Sequence, residues 1–214
     1  MKDSTTVAAE VASNKRQRLS GDERRQETVA AVIDLARDRG PEGITTQAIA
    51  DRIGVTHGAL FRHFPDKAAI WSAVIEWVGG RLGRVIDGAI DAGGAPLAVI
   101  ERLFHAHVDF VASHPGVPRI LFHELQRPAD SPFRKVARLI VGTYRRRLCA
   151  LFAQAKQAKQ LPASLDEQAA AALFIGTVQG LVVQGSLFPG ETDMREAARR
   201  IFPLLLDGYR GARP

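Results

Sequence analysis

The chain has 214 residues, of which 46% are hydrophobic, 24% charged and 7% aromatic, and its 29 lysines and arginines outnumber 23 aspartates and glutamates to give a net charge of +6. This is globular composition with length enough for one or two domains, which excludes a disulfide-stapled miniprotein, a collagen-like fibre and a wholly disordered chain. The basic total points first to an anionic partner, nucleic acid or a membrane surface, although charge totals govern association and solubility, not fold.

Residues 1–20 are small and polar without periodicity, and Lys15, Arg16 and Arg18 make their end basic, so a disordered basic arm is expected. The opening hexapeptide carries no apolar stretch of the kind a signal peptide needs, and the single cysteine, Cys149, has no internal disulfide partner. A reducing cytoplasm is the expected compartment, with Cys149 a packed thiol. From Asp22 onward Val29, Val32, Ile33 and Ala36 recur at helical spacing until Gly40-Pro41. No β-branched alternation follows anywhere. Helical windows instead alternate with Gly/Pro punctuation at Gly93-Gly94, His114-Pro115, Pro128 to Pro132, Leu161-Pro162 and Pro189-Gly190. The expected fold is all-α, with about nine helices near 22–39, 46–53, 57–63, 67–91, 96–113, 116–127, 132–158, 166–187 and 193–210. Residues 21–66 and 67–214 are read as two domains.

The most informative stretch runs from Thr45 to Phe64. Ile49, Ala50 and Ile53 stripe a short first helix, Gly54 permits the left-handed turn that ends it, and Thr56 caps a second helix anchored by Leu60 and Phe64. This is a helix-turn-helix, and two helices so short need a third, supplied by the segment from Asp22 to Arg39.

From about Glu23 to Ile70 the chain resembles the TetR-type bacterial transcriptional repressors. The resemblance is densest in Ile49-Ala50-x3-Gly54-Val55-Thr56-x3-Leu60-Phe61-x-His63-Phe64-x2-Lys67. It also extends to the layout of an N-terminal three-helix head followed by a long helical remainder. It implies that the second helix of the motif enters the major groove, with Gln47 and His57 positioned to touch base edges. Gly58 and Ala59 would permit close approach, Thr45, Thr46 and Thr56 would meet phosphates at helix starts, and Arg62, His63 and Lys67 would complete the DNA-facing set. Phe61 replaces the family's usual tyrosine, which removes a phenolic phosphate contact. Other readings stand beside these. Thr45 and Thr56 cap helices with or without DNA, His63 could pack on the first helix, and Asp51 and Arg52 suit a solvated or intramolecular charge pair better than base reading. Lys67 beside Asp66 at a helix start is electrostatically odd without a nearby anion.

For residues 67–214 the resemblance implies a ligand-binding and dimerisation bundle. Polar residues within apolar helices are the natural pocket candidates, since buried polar groups need partners. They are His107, His123 and Gln179, with Trp77, Phe104, Phe110, Phe122 and Phe174 as walls. Gly176-x-x-x-Gly180 allows a close helix crossing, so a homodimer interface is expected through Phe174, Gly176, Gly180, Val183, Ile201 and Leu205. The uncharged run from Gln168 to Gly190 has the length of a membrane span, but Thr177, Gln179, Gln184 and Ser186 interrupt it and no membrane partner is expected.

No zinc motif, nucleophile elbow, Walker loop or dinucleotide fingerprint occurs, so neither a metal, a cofactor nor an enzymatic activity is expected. The expected function is a ligand-released repressor that binds a palindromic operator in double-stranded DNA as a homodimer, the effector being a small, largely apolar molecule. Two alternatives remain: a constitutive DNA-binding organiser on the same scaffold, and a helical small-molecule-binding protein or enzyme that no longer binds DNA. Charge by segment qualifies the opening inference. Residues 19–70 hold 7 basic and 8 acidic side chains, whereas 71–214 hold 18 against 13. The case for DNA thus rests on motif geometry, and few phosphates per head would be neutralised.

Overall fold

The computed structural model describes residues 20–126, 131–191 and 193–211. The arm expected over 1–20 lies outside them except for Ser20. Among the described residues the chain forms nine α-helices, one 3-10 turn and no strand. The helices are α1 (Gly21–Arg39), α2 (Thr46–Arg52), α3 (His57–Leu60), α4 (Lys67–Asp91), α5 (Pro96–Ser113), α6 (Gly116–Leu125), α7 (Pro132–Gln157), α8 (Glu167–Leu187) and α9 (Met194–Arg210), with the 3-10 turn at Pro41–Gly43.

Local chemistry sets most helix starts. The Ser20 hydroxyl accepts from the Glu23 amide at 3.2 Å while the Glu23 carboxylate accepts from the Ser20 amide at 2.8 Å, a reciprocal cap for α1. The side chains of Thr45, Thr56, Asp66, Ser131, Asp166 and Asp193 accept from first-turn amides to cap α2, α3, α4, α7, α8 and α9, without a reciprocal bond, and Pro96 and Pro132 occupy first-turn positions whose amide has no helical partner. Gly40 and Gly54 take φ of +78° and +67°, the left-handed turns that end α1 and join α2 to α3.

The head is α1, α2 and α3. Val32, Leu35, Ile44, Ile49, Leu60 and Phe64 are at most 2% exposed and form its core. Full burial of side chains such as Leu60 contributes about 1.5–3 kcal/mol each, which a four-residue helix cannot supply from its own hydrogen bonds. The helix expected over 57–63 closes at Leu60. Beyond it the His63 amide donates three residues back to the Leu60 carbonyl, a tightened turn that swings Phe64 into the core. Its α4 then leads from the head into a bundle in which it packs on α5 and α7, with α7 against α8 and α9 against α5 and α8. A single apolar core runs continuously from head to bundle.

Candidate functional site

The outer face of the head is built from the N-termini of α2 and α3. Thr46 Oγ1 and His57 Nε2 lie 2.8 Å apart, joining the two starts, and Gln47 Nε2 donates to Asp51 at 2.7 Å. Gln47, Thr56, His57, Gly58 and Arg62 are exposed. A Cβ on Gly58 would meet nothing within 4 Å, so the backbone there is open to close approach. Ala59 and Phe61 are half-buried, and the Phe61 ring meets the His57 ring edge-on at 4.8 Å. The hydroxyls of Thr45 and Thr56 accept from the amides of Ala48 and Ala59 at 3.0 and 3.2 Å, so both caps form without DNA.

Two side chains, Arg52 and Lys67, have partners that the sequence did not point to. Asp51 and Arg52 do not pair with each other, because adjacent helical residues face apart. Arg52 instead reaches Asp38 of α1 at 2.9 Å, and that hydrogen bond holds the Asp38 carboxyl below its usual pKa. Lys67 Nζ donates to the Ile44 carbonyl at 2.6 Å, so its place at a helix start is accounted for within the head, with the negative end of that helix cap supplied by Asp66. His63 is half-buried, and its carbonyl accepts from Arg25 at 2.9 Å while the Arg25 guanidinium stacks 4.6 Å over the Phe64 ring.

A second site lies in the bundle. A cavity of about 110 Å³ opens between α4, α5, α6, α7 and α8, with walls that include Ile75, Phe110, Leu121, Phe122, Ile140 and Val178. Its polar lining is His107, Tyr144 and Gln179. The Tyr144 hydroxyl and His107 Nδ1 are hydrogen-bonded at 3.0 Å. Burial lowers the His107 pKa to about 4 and raises that of Tyr144 well above 10, so both are uncharged at neutral pH. The cavity thus offers an apolar body with a small neutral polar group, the make-up of a small-molecule site. Of the residues expected here, His107, Phe110, Phe122 and Gln179 line it. Phe104 and Phe174 are 0% exposed and pack edge-on against each other in the adjoining core. Trp77 packs on Phe110 and His114 outside the lining, and His123 turns away to Glu42 of the head at 3.2 Å. Sequence reasoning missed Tyr144, although it lies four and seven residues after Ile140 and Ala137 on one helical face.

Helix α6 joins the two sites. Val117, Pro118, Leu121 and Phe122 face the cavity, while the opposite side of the same helix grips α1. At Gly116 the backbones approach so closely that a Cβ would sit 2.0 Å from the Ile33 carbonyl oxygen. The Arg119 guanidinium donates to the carbonyls of Ala36 and Arg37 at 3.4 and 2.5 Å in the last turn of α1, where the Gly40 amide also donates to Ala36 and Pro41 has no amide to donate to Arg37.

Helices α8 and α9 carry an outward apolar face. Leu173, Val183, Leu187 and Leu204 are 50%, 42%, 63% and 71% exposed, and a Cβ on Gly176 or Gly180 would meet nothing. Phe174 and Leu205, expected at a dimer interface, are instead 0% and 6% exposed within the subunit, and Ile201 is half-buried. The outward positions are the neighbouring Leu173 and Leu204. By length and composition α8 could cross a membrane, yet in the bundle it packs against α7, α9 and α5.

Residues 29–74 match the family model for bacterial regulatory proteins of the tetR family. The nucleoid occlusion factor SlmA of Actinobacillus pleuropneumoniae serotype 5b is 30% identical over 122 residues, 56% of this chain and 60% of that protein. SlmA of Glaesserella parasuis serovar 5 is 28% identical over 160 residues, 74% of this chain and 78% of that protein. The chain thus spans about 60% of the length of the first of these curated relatives. Among solved structures, a TetR-family regulator from a Rhodococcus species superposes with a TM-score of 0.76 at 19% identity, covering 88% of this chain and all of the other. The fatty acid regulator FadR of Bacillus subtilis, solved with stearoyl-CoA, gives 0.74 at 17% identity, covering 86% and 98%. Residues 29–74 are therefore similar to the tetR family of bacterial regulatory proteins, and the chain shares the fold of the TetR-family regulator from Rhodococcus.

Proposed function

We propose that the protein is a cytoplasmic transcriptional repressor that binds a palindromic operator as a homodimer and is released by a small, largely apolar molecule. The observation that carries this reading is the outer face of the head. Gln47, His57 and Gly58 are exposed at two helix starts, with Thr46 half-buried beside them and Arg62 exposed just past the end of α3, while the apolar sides of both helices are sunk into one core. Gln47 can pair bidentately with adenine, His57 can donate to a purine, and the open backbone at Gly58 lets the helix approach the bases. The exposed apolar face of α8 and α9 supports self-association through a four-helix contact, which would set two heads on half-sites about 34–36 Å apart or a multiple of it.

The regulatory route follows from α6. A ligand that enlarges the cavity displaces Val117, Leu121 and Phe122, and α6 carries that displacement to α1 through Gly116 and Arg119. The effector weakens DNA binding only by as much as it prefers the displaced arrangement, typically about 1–3 kcal/mol. A second reading, a DNA-binding organiser without an effector, is favoured by the name of the curated relatives. Release of bound DNA by a cavity ligand separates the two.

The test is selection of bound sequences from a random DNA pool, repeated with Gln47→Ala and His57→Ala. A palindromic consensus is expected, and each variant should lose discrimination at one base position by about 1–3 kcal/mol. An unchanged consensus in both variants refutes these base readers, and no enrichment at all refutes the function.

A further inference from the structure

From Ser131 to Leu165 the sequence holds eight basic residues and no acid. Some of this charge is neutralised or held elsewhere. Lys156 pairs with Glu167 at 2.7 Å, Arg147 with Asp87 at 2.5 Å, and Arg146 donates to Thr143 at 2.9 Å. None of the ion pairs among the described residues includes Arg138 or Arg145, and both are exposed. Among the described residues Arg24, Arg37, Arg52, Arg102, Arg119 and Arg195 do have partners, while Arg39, Arg62, Arg84, Arg199 and Arg200 share with Arg138 and Arg145 the lack of an ion pair, so it is position that sets these two apart.

The position of these two arginines gives them a use. Val141 lines the cavity yet is 41% exposed, so it stands at the mouth, together with the 36% exposed Phe122 of α6 and the exposed Gln179 of α8. Arg138 precedes Val141 by three residues and Arg145 follows it by four, so all three share one face of α7. Their backbones are about 4.5 and 6 Å along the helix from Val141, within reach of two long side chains. The interior beyond Val141 holds no charged group, since its polar lining is an imidazole, a phenol and an amide. An entirely apolar ligand would use the interior and leave the two guanidinium groups without a role. An entirely polar anion would use the rim and leave the apolar interior empty.

We propose that the cavity takes an amphiphilic anion, with a short apolar tail between α6, α7 and α8 and a carboxylate or phosphate head held over Val141 between Arg138 and Arg145. This names the effector class of the regulator proposed above and rests on that reading only for the link to DNA release. The volume of about 110 Å³ is somewhat below that of an apolar cavity of about 150 Å³ known to hold benzene, so the tail enclosed is short and the rest of a longer chain extends through the mouth.

The experiment compares octanoate, octyl phosphate and octan-1-ol as ligands of the full chain by calorimetry, with the wild type and the Arg138→Gln/Arg145→Gln double variant. The wild type should bind at least one of the two anions roughly tenfold more tightly than the alcohol, as expected for two charge-assisted contacts in partial solvent. Which anion wins distinguishes a carboxylate from a phosphate head. The double variant should keep its alcohol affinity and lose the anion preference. Alcohol binding equal to or tighter than both anions overturns the proposal, as does no binding by any of the three or a preference that survives in the double variant. A double variant that loses affinity for selected DNA in the absence of ligand also overturns it, by assigning the arginines to DNA. Anion preference in a protein that enriches no DNA sequence would sustain this inference and refute the regulator, whereas DNA enrichment with alcohol preference would do the reverse.

Discussion

Replacing Gly116 with alanine places a methyl group where α6 meets α1. The added Cβ would lie 2.0 Å from the Ile33 carbonyl oxygen, 3.0 Å from its carbon and 3.2 Å from the Arg37 amide nitrogen. All three are backbone atoms, so no side chain can swing aside. Ordinary contact begins near 3.4 Å, which obliges the helices to part by roughly 1.4 Å or the local packing to deform. Parting stretches the Arg119 bonds to Ala36 and Arg37 and the contact between His123 and Glu42. Overpacking of this kind costs about 1–3 kcal/mol, or roughly 2–12 °C of melting temperature for a chain of this size. Because α6 would part from α1, the head should also lose its fixed seat on the bundle, and operator binding should weaken by roughly 5- to 150-fold, the usual span of allosteric coupling. Gly88→Ala is the control. That glycine lies within α4 with open space around it, so alanine there should stabilise by about 0.5–1 kcal/mol. Thermal unfolding and operator titration of both variants check the argument. A Gly116→Ala protein with wild-type melting and wild-type DNA affinity would refute the view that α6 transmits force to the head.

Further expectations concern pH and assembly. The folded His107 pKa of about 4 lies below its ordinary 6.5, so between those values the unfolded chain binds more protons and stability falls as pH drops. The loss approaches on the order of 3 kcal/mol by pH 4. Urea unfolding at pH 7 and 4.5 should show a smaller pH dependence in His107→Gln than in the wild type, and equal slopes would show that His107 protonates in the native state. Leu204→Glu places a charge on a side chain that is 71% exposed in the subunit. It should leave the monomer folded but weaken self-association at least about tenfold by sedimentation, and an unaffected dimer would remove α9 from the interface.

The head was readable from sequence because its constraints are local. Ile49, Ala50, Leu60 and Phe64 mark the buried sides at helical spacing, Gly54 marks a turn that other residues rarely adopt, and Thr45 and Thr56 carry the caps. The partners of Arg52 and Lys67 were not readable, because Asp38 and the Ile44 carbonyl lie 14 and 23 residues away and are brought near only by the packing of α1. The bundle was legible as helices but less so as a site. Helix α8 is apolar nearly all round, so periodicity does not separate the buried Phe174 from the exposed Leu173 beside it. The cavity depends on how five helices diverge. No single helix encodes that, which is why His107 and Phe110 face the cavity while the equally plausible Trp77 and His123 do not.

The contacts on the outer face of the head bear on how DNA would be read. In the free protein the Gln47 amide is already held by Asp51, and the His57 imidazole by Thr46. A base edge must therefore replace an existing hydrogen bond, not fill a vacancy. A base with poor geometry leaves Gln47 on Asp51 and gains nothing from it, while one with the right acceptor and donor captures the side chain whole. Asp51 thus acts as an internal competitor for Gln47. Asp51→Ala should accordingly broaden the set of sequences bound while tightening the weakest of them.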